Sequence, residues 1–337
     1  MMLSYLLTAA LLLLGSSTGT PSDFGARRTT ASGCGRDSHV KLNELNSETL
    51  ASGRTYLFWI PPSYDVHKAT PLIFSFHGAT KTPKDQANLD LLTTPFFNTD
   101  HIVVYPASGT YGVSNASYWQ GAPKVPPTVD DVAFVLDILE TMESRFCIDE
   151  SRIYATGKSQ GGMMTNNLAC DARSSAVIAA FAPVSGSYYV NVTGAACTPL
   201  TLGFDCHPAQ KETPIIVFHG LADDTIAYGG GERSGECLPY IPHFVAAWAV
   251  RDGLQASPSR VARLAGDNST TYTYGAGAER GLVSFVYDGN AVSHQWPATI
   301  PNTDSIEHGS QPATFNASSI IMDFLRSVHA EWNGPWW

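Results

Sequence analysis

The chain is poor in charge, and poorest in positive charge. Charged residues make up 15% of it, with 20 Lys and Arg against 30 Asp and Glu. A net charge of −10 excludes a general nucleic-acid binder, which needs a basic surface. No run of five like charges occurs, so there is no charged tail. No pair among the six Cys has the C-x-x-C spacing, which excludes a zinc ribbon or a thioredoxin-like redox site. Beyond the N-terminus no segment reaches the roughly 20 apolar residues of a membrane span. Internal repeats, Ser/Thr-rich linkers and an appended binding module are also missing.

What is present points to export. The N-terminus, MMLSYLLTAALLLLGSSTGTPS, holds an apolar stretch of about 13 residues followed by small ones. That is the pattern of a signal peptide, too short to span a bilayer. Cleavage is expected between Gly15 and Pro21. Residues 1–20 are therefore read as a signal peptide and 21–337 as one secreted, monomeric domain that associates with no membrane. The Cys at 34, 147, 170, 197, 206 and 237 suit three disulfides, with 15 possible pairings. N-glycosylation sequons start at Asn115, Asn191, Asn268 and Asn316.

Short apolar strands alternate with helices along the chain. Residues 21–52 read as polar loop. The runs 54–61, 71–78, 101–106, 176–186, 214–220 and 282–289 read as strands, several of them apolar on both faces. Residues 109–127, rich in Gly, Pro, Tyr and Trp, read as a long loop. Helical periodicity marks 129–146, 160–172, 241–254 and 316–330. This alternation predicts an α/β fold with a mostly parallel central sheet covered by helices on both faces.

One stretch, "RIYATGKSQGGMM" (152–164), is ambiguous. Gly157-Lys158-Ser159 ends like a phosphate-binding loop, and Gly157–Gly161 is also G-x-S-x-G. A phosphate loop needs a second Gly five residues before Gly157. Arg152 stands there, and Ile-Tyr-Ala-Thr between them is strand, so no cradle of backbone N–H groups can form. The nucleophile-elbow reading fits every position. Ser159 would sit on a strained turn between strand and helix, with Gly157, Gly161 and Gly162 giving the space. The helix from Gln160 would aim its N-terminus at the site.

A serine nucleophile needs a base, an acid and oxyanion donors. An acidic loop after "IIVFHG" offers Asp223 and Asp224 for the acid. His294 follows the next strand and suits a general base, with His308 as the alternative. His77 and His219, in "SFHG" and "VFHG", are expected to shape loops. The backbone N–H of Gln160 would be one oxyanion donor, and that of Ala79 or Thr80 the other, with Gly78 letting the chain turn. Tyr105, Tyr111, Tyr118 and Trp119 are positioned to stack on a phenolic ring or a sugar.

These pieces, in order, resemble the secreted esterase family of fungal feruloyl esterases, polyhydroxybutyrate depolymerases and some acetylxylan esterases. They are "GCG" at 33–35, "HG" at 77–78, "VDDVAFV" at 129–135, "CIDESRIYATGKSQGG" at 147–162, "LACD" at 168–171, "FHGLADDTIAY" at 218–228 and "DG…SHQWP" at 288–297. The resemblance spans roughly residues 34–330 and implies an α/β-hydrolase fold with Ser159 as nucleophile, His294 as base, and Asp223 rather than Asp224 as acid. It gives Ala79 the oxyanion role and makes Asp130 and Asp131 structural, capping a helix. It implies no metal or organic cofactor. The implied substrate is a feruloyl ester of plant cell-wall polysaccharide, with polyhydroxyalkanoate or acetylated xylan as alternatives. A non-catalytic member that keeps the fold for binding is the contrasting reading. The chain departs from the family at Lys158, where other branches carry an apolar or aromatic residue. Lys158 is expected to turn into a neighbouring loop and pair with a carboxylate or carbonyl.

Overall fold

Runs such as Leu72-Ile73-Phe74 carry no polar face, so they need cover on both sides of a sheet. The computed structural model, which describes residues 31–37, 39–112, 115–264, 269–276, 282–289 and 292–328, gives them that cover. All residues of β3 (Thr70–Phe76), β4 (Ile102–Pro106), β8 (Ala180–Val184) and β9 (Ile215–Gly220) are buried. With β7 (Ile148–Lys158) and β14 (Val283–Asp288) they form the parallel centre of the sheet. Antiparallel strands extend it at both edges: β1 (Leu45–Thr49) and β2 (Thr55–Trp59) on one side, β12 (Arg260–Arg263) and β13 (Ser269–Tyr274) on the other. The ten strands run in the order β1-β2-β4-β3-β7-β8-β9-β14-β13-β12.

Successive side chains of a strand point to opposite faces, and here each face has its own core. Leu72, Phe74, Ile215 and Val217 join the apolar residues of α2 (Asp131–Arg145), α3 (Gln160–Cys170) and α5 (Ile241–Arg251). Ile73, Ile216 and Phe218 join those of α1 (Pro83–Asp90) and α7 (Ala317–Ser327). A short α4 (Ala172–Ser175) follows α3, and α6 (Thr303–Glu307) precedes α7. A parallel sheet between two helical layers in this strand order is the α/β-hydrolase fold.

Asp130 caps α2 by accepting the Ala133 N–H at 2.9 Å. Asp131, fully buried, accepts from Arg54 at 2.6 Å and from the Gln120 N–H at 2.7 Å. Both acidic residues of the "VDD" motif are thus engaged in holding structure.

Some elements were invisible to a search for apolar runs. β1 lies in the stretch read as loop; its residues alternate between exposed and half-buried, as a polar edge strand should. The long loop 109–127 contains a hairpin of β5 (Gly109–Tyr111) and β6 (Ala116–Tyr118). A second hairpin joins β10 (Gly231–Arg233) and β11 (Glu236–Leu238).

The six Cys form the bridges Cys34–Cys147, Cys170–Cys206 and Cys197–Cys237. The first closes a separation of 113 residues, worth about 5 kcal/mol on a chain-entropy account. Asn115 and Asn191 are exposed and Asn316 is half-buried; Asn268 and the expected signal peptide lie outside the described residues. Among the described residues no helix is long and apolar enough to cross a membrane.

Asp252, just after α5, is 7% exposed, and burial pushes its carboxyl up to about 7. A carboxyl raised in the folded state binds its proton more tightly there than when unfolded. Its stabilising contribution is complete below the ordinary value of 3.8 and is lost as pH rises through about 7. In thermal denaturation Asp252→Asn should therefore gain stability relative to wild type as pH rises from 4 to 7, because the variant lacks this loss. An Asp252→Asn profile parallel to wild type would refute this.

Candidate active site

The strand-to-helix turn after β7 is sterically extreme. A Cβ on Gly161 would lie 2.0 Å from the Phe76 carbonyl oxygen, and one on Gly157 would lie 2.6 Å from the Gly161 carbonyl oxygen. One on Gly162 would meet Gly186 Cα at 2.9 Å. The glycines let α3 approach β3 and β8 to backbone contact. Ser159, between them, takes φ 59 and ψ −117, a conformation costing a non-glycine residue roughly 1–3 kcal/mol. Backbone bonds hold it there. The Ser159 N–H donates to Val184 O at 2.9 Å, and Ser159 O accepts from Met163 and Ser187 at 3.0 and 3.2 Å.

The turn brings three of the sequence-predicted residues together. Ser159 Oγ lies 2.8 Å from His294 Nε2, and His294 Nδ1 lies 2.9 Å from Asp223 Oδ2. All three are buried, Ser159 being 8% exposed at the floor of an open cleft. Asp223 Oδ1 accepts the N–H groups of Thr225 and Ile226 at 3.0 and 2.7 Å, which fixes the carboxylate. Asp224 is exposed and its carboxylate meets Thr225, so it is not in this chain of bonds. His308 touches His294 ring to ring, edge-on at 5.6 Å, with no bond to Ser159. Burial and then the charge of Lys158 hold His294 well below the ordinary histidine range, so the imidazole is neutral and able to accept a proton.

His219 supplies a contact that sequence reasoning missed. Its Nε2 donates to Ile226 O at 2.7 Å and lies 3.3 Å from Asp223 Oδ2. It shapes the acid loop as expected, but it also sits against the acid itself. The "FHG" signal was visible; its distance from Asp223 was not.

The oxyanion side is braced by the loop 109–127. His77 Nδ1 donates to Gly78 O at 2.8 Å and its Nε2 accepts the Ser108 N–H at 3.2 Å, with burial lowering it to about 4. Trp119 Nε1 donates to His77 O at 2.8 Å. The Thr80 N–H donates to Ser117 O at 2.8 Å, which leaves Ala79 the better placed of the two candidate donors. The left-handed turn is taken by Thr80, φ 64, and not by Gly78, where a Cβ would meet only ordinary contacts. Gln160, as the first residue of α3, has no intrahelical acceptor for its N–H.

Of the four aromatic residues considered for stacking, only Tyr118 lines the cleft. Tyr105 is fully buried and donates to Asp90 at 3.0 Å, and Trp119 is buried against His77. Tyr111 packs on the core. The cleft, about 210 Å³, also presents Tyr189, Ile226, Lys124 and Arg233.

Lys158 lines a different pocket from Ser159, beside Gly78 and Asp304. Its ammonium pairs with Asp304 at 3.3 Å, both side chains being buried. Nothing in the sequence around Asp304 marked it.

Gly161→Ala is expected to destabilise the protein by about 1–3 kcal/mol or more, because the Phe76 backbone cannot retreat from the added methyl. Gly229→Ala, with nothing within 4 Å, serves as the control and should stay within about 0.5 kcal/mol. Chemical denaturation of both variants checks this; equal effects would refute it.

No protein-family model matches the chain. Among curated proteins it is 33% identical over 161 residues to a bifunctional acetylxylan esterase/xylanase of Neocallimastix patriciarum, covering 47% of this chain and 20% of that protein. It is 28% identical over 178 residues to feruloyl esterase B of Piromyces equi, covering 53% of this chain and 31% of that one. A probable feruloyl esterase C of Aspergillus clavatus is 28% identical over 236 residues, covering 68% of this chain and 74% of that one. The chain thus spans well under two thirds of the first two relatives. A solved acetyl xylan esterase from Aspergillus awamori superimposes with a TM-score of 0.53 at 16% identity, over 79% of this chain and 98% of that one. The chain is an α/β-hydrolase-fold protein similar in sequence to curated proteins named feruloyl esterase and acetylxylan esterase.

Proposed function

We propose that the chain is a serine carboxylesterase that hydrolyses feruloyl esters of plant cell-wall polysaccharide. The observation that carries the reading is the unbroken chain of short contacts from Asp223 through His294 to Ser159 Oγ. The feruloyl preference draws on the names of its relatives and on Tyr118 in the cleft wall.

Ser159 Oγ attacks the ester carbonyl while its proton passes to His294 Nε2. Asp223 stabilises the imidazolium and holds its tautomer. The tetrahedral oxyanion takes hydrogen bonds from the backbone N–H groups of Ala79 and Gln160, aided by the N-terminus of α3. His294 returns the proton to the departing alcohol oxygen, leaving an acyl-Ser159. Water then enters, loses a proton to His294 and releases the acid, and Ser159 recovers its proton. No step calls for a metal or an organic cofactor.

Acetylated xylan is the second reading, favoured by the acetylxylan esterase among the sequence relatives. The three disulfides suit an oxidising compartment. We read the protein as secreted after loss of residues 1–20, acting as one monomeric catalytic unit of residues 21–337, with Asn115, Asn191, Asn268 and Asn316 open to glycosylation.

Ser159→Ala should reduce turnover of methyl ferulate at least ~10³-fold with little change in melting temperature. A mutant with wild-type turnover would overturn the triad. Release from acetylated xylan but from no hydroxycinnamate would replace the feruloyl reading with the second one. Because His294 must be neutral to act, activity falls as pH drops through its pKa. With that pKa well below 6.5, kcat/KM should stay on its plateau at pH 6.5; an acid limb centred above 6.5 would contradict the assignment.

A further inference from the structure

A buried ion pair joins the two halves of the proposed triad, and the mechanism above does not use it. Lys158 immediately precedes Ser159 on β7, and its side chain is 8% exposed. Its partner Asp304, 4% exposed, sits in the first turn of α6. Asp304 Oδ2 also accepts the Trp296 N–H at 2.9 Å, two residues after His294. Asn302, the cap of α6, donates to Trp296 O at 2.8 Å. The backbone on both sides of Trp296 is thus gripped by α6, and α6 is tied to the elbow by Lys158.

Stability alone does not require this arrangement. A buried ion pair is often no better than apolar residues of the same volume. A charge placed beside a nucleophile and its base acts on both, and weak dielectric screening makes it felt over several ångströms. We propose that Lys158 and Asp304 are positioning residues: their ion pair ties the loop bearing His294 to the turn bearing Ser159, and their opposed charges set the electrostatic field in which His294 works. The proposal rests on the triad reading of Ser159, His294 and Asp223.

The charged and titratable groups facing His294 are few and identifiable. Asp223 meets Nδ1, with His219 behind it. His308 stands edge-on at 5.6 Å. Arg233 acts from the cleft wall, and Lys158 and Asp304 act from the elbow side with opposite signs. Lys158 disfavours the imidazolium, and Asp304 favours it.

The test is the pH dependence of kcat/KM on methyl ferulate for wild type, Lys158→Met, Lys158→Arg and Asp304→Asn. Each is made with His308→Asn so that a second imidazole cannot supply the limb. Lys158→Met should move the acid limb to higher pH by roughly half a unit or more, and Asp304→Asn should move it to lower pH. Lys158→Arg should return it toward wild type. Asp304→Asn keeps an acceptor for the Trp296 N–H, so it remains informative if Lys158→Met fails to fold. Limbs that stay fixed while only melting temperatures change, or that move in the same direction, would overturn the proposal. Ser159→Ala assayed alongside separates the two ideas. An inactive Ser159→Ala with unsplit limbs sinks the ion-pair role alone, and an active one sinks the triad and this proposal with it.

Discussion

The approach of α3 to the sheet is the constraint on which the rest depends. A helix whose first turn meets the Phe76 carbonyl can have no side chain at Gly161, and the strand beneath it can have none at Gly157. That closeness forces Ser159 into a left-handed conformation. It also points the unpaired N–H groups of the helix N-terminus to where an ester oxyanion would develop. The cost of the turn is offset by the sheet, whose central strands are buried along their length. A serine strained in this way is stable only because the surrounding backbone determines its position several times over.

His294, the proposed base, has no comparable scaffold of its own. His294 lies in a segment without regular structure, after the end of β14. Its position is set by what grips its neighbours. Ser185 donates to Gln295 O at 3.3 Å, and the Gln295 amide donates to Gln311 O at 3.1 Å. Trp296 is held at its backbone by α6, and its indole donates to Ser318 Oγ at 3.0 Å. Ser318 in turn donates to Asp90 O at 2.6 Å, at the end of α1. The loop is pinned by Ser185, Gln311, α6 and Ser318 through buried and part-buried polar contacts, which are strengthened by the low dielectric of the interior. Hydrogen bonds that place a catalytic base must be directional, and apolar packing alone supplies no direction.

This division explains what the sequence disclosed. Elements that bury apolar faces were legible: the central strands and the helices α2, α3, α5 and α7 follow directly from apolar runs and helical spacing. The elbow was legible because its glycines answer a steric demand that few other contexts make. Polar edge strands were not, since Leu45–Thr49 has no buried face to betray it. α1 went unread although Thr82, Pro83 and Asp85 form a capping box with proline at its start, a local signal independent of hydrophobicity. The contacts of Asp304 and His219 were beyond sequence, because they depend on how loops about 150 and 4 residues from their partners fold back. The aromatic residues at 105 and 119 misled for the opposite reason. Tyr and Trp bury their rings and satisfy one polar atom, so composition alone does not separate a wall of the core from a wall of a cleft.

The two walls of the cleft are stiffened by different means. In the wall carrying Ala79, Thr80 and Tyr118, hydrogen bonds from Thr80, Ser117 and Trp119 tie the loop after β3 to the β5–β6 hairpin and the residue that follows it. The wall carrying Tyr189 and Arg233 comes from two segments on either side of β9: residues 185–214, with little helix or strand, and the β10–β11 hairpin. Here disulfides add to the packing of Tyr188 and Phe204 against Phe244. Cys170–Cys206 fastens the first segment to the end of α3, and Cys197–Cys237 fastens it to the β10–β11 hairpin, whose Cys237 also exchanges backbone bonds with Val190. The proposed triad is therefore held by the close backbone packing of the elbow and by buried hydrogen bonds, whereas the wall carrying Tyr189 and Arg233 is held in part by disulfides.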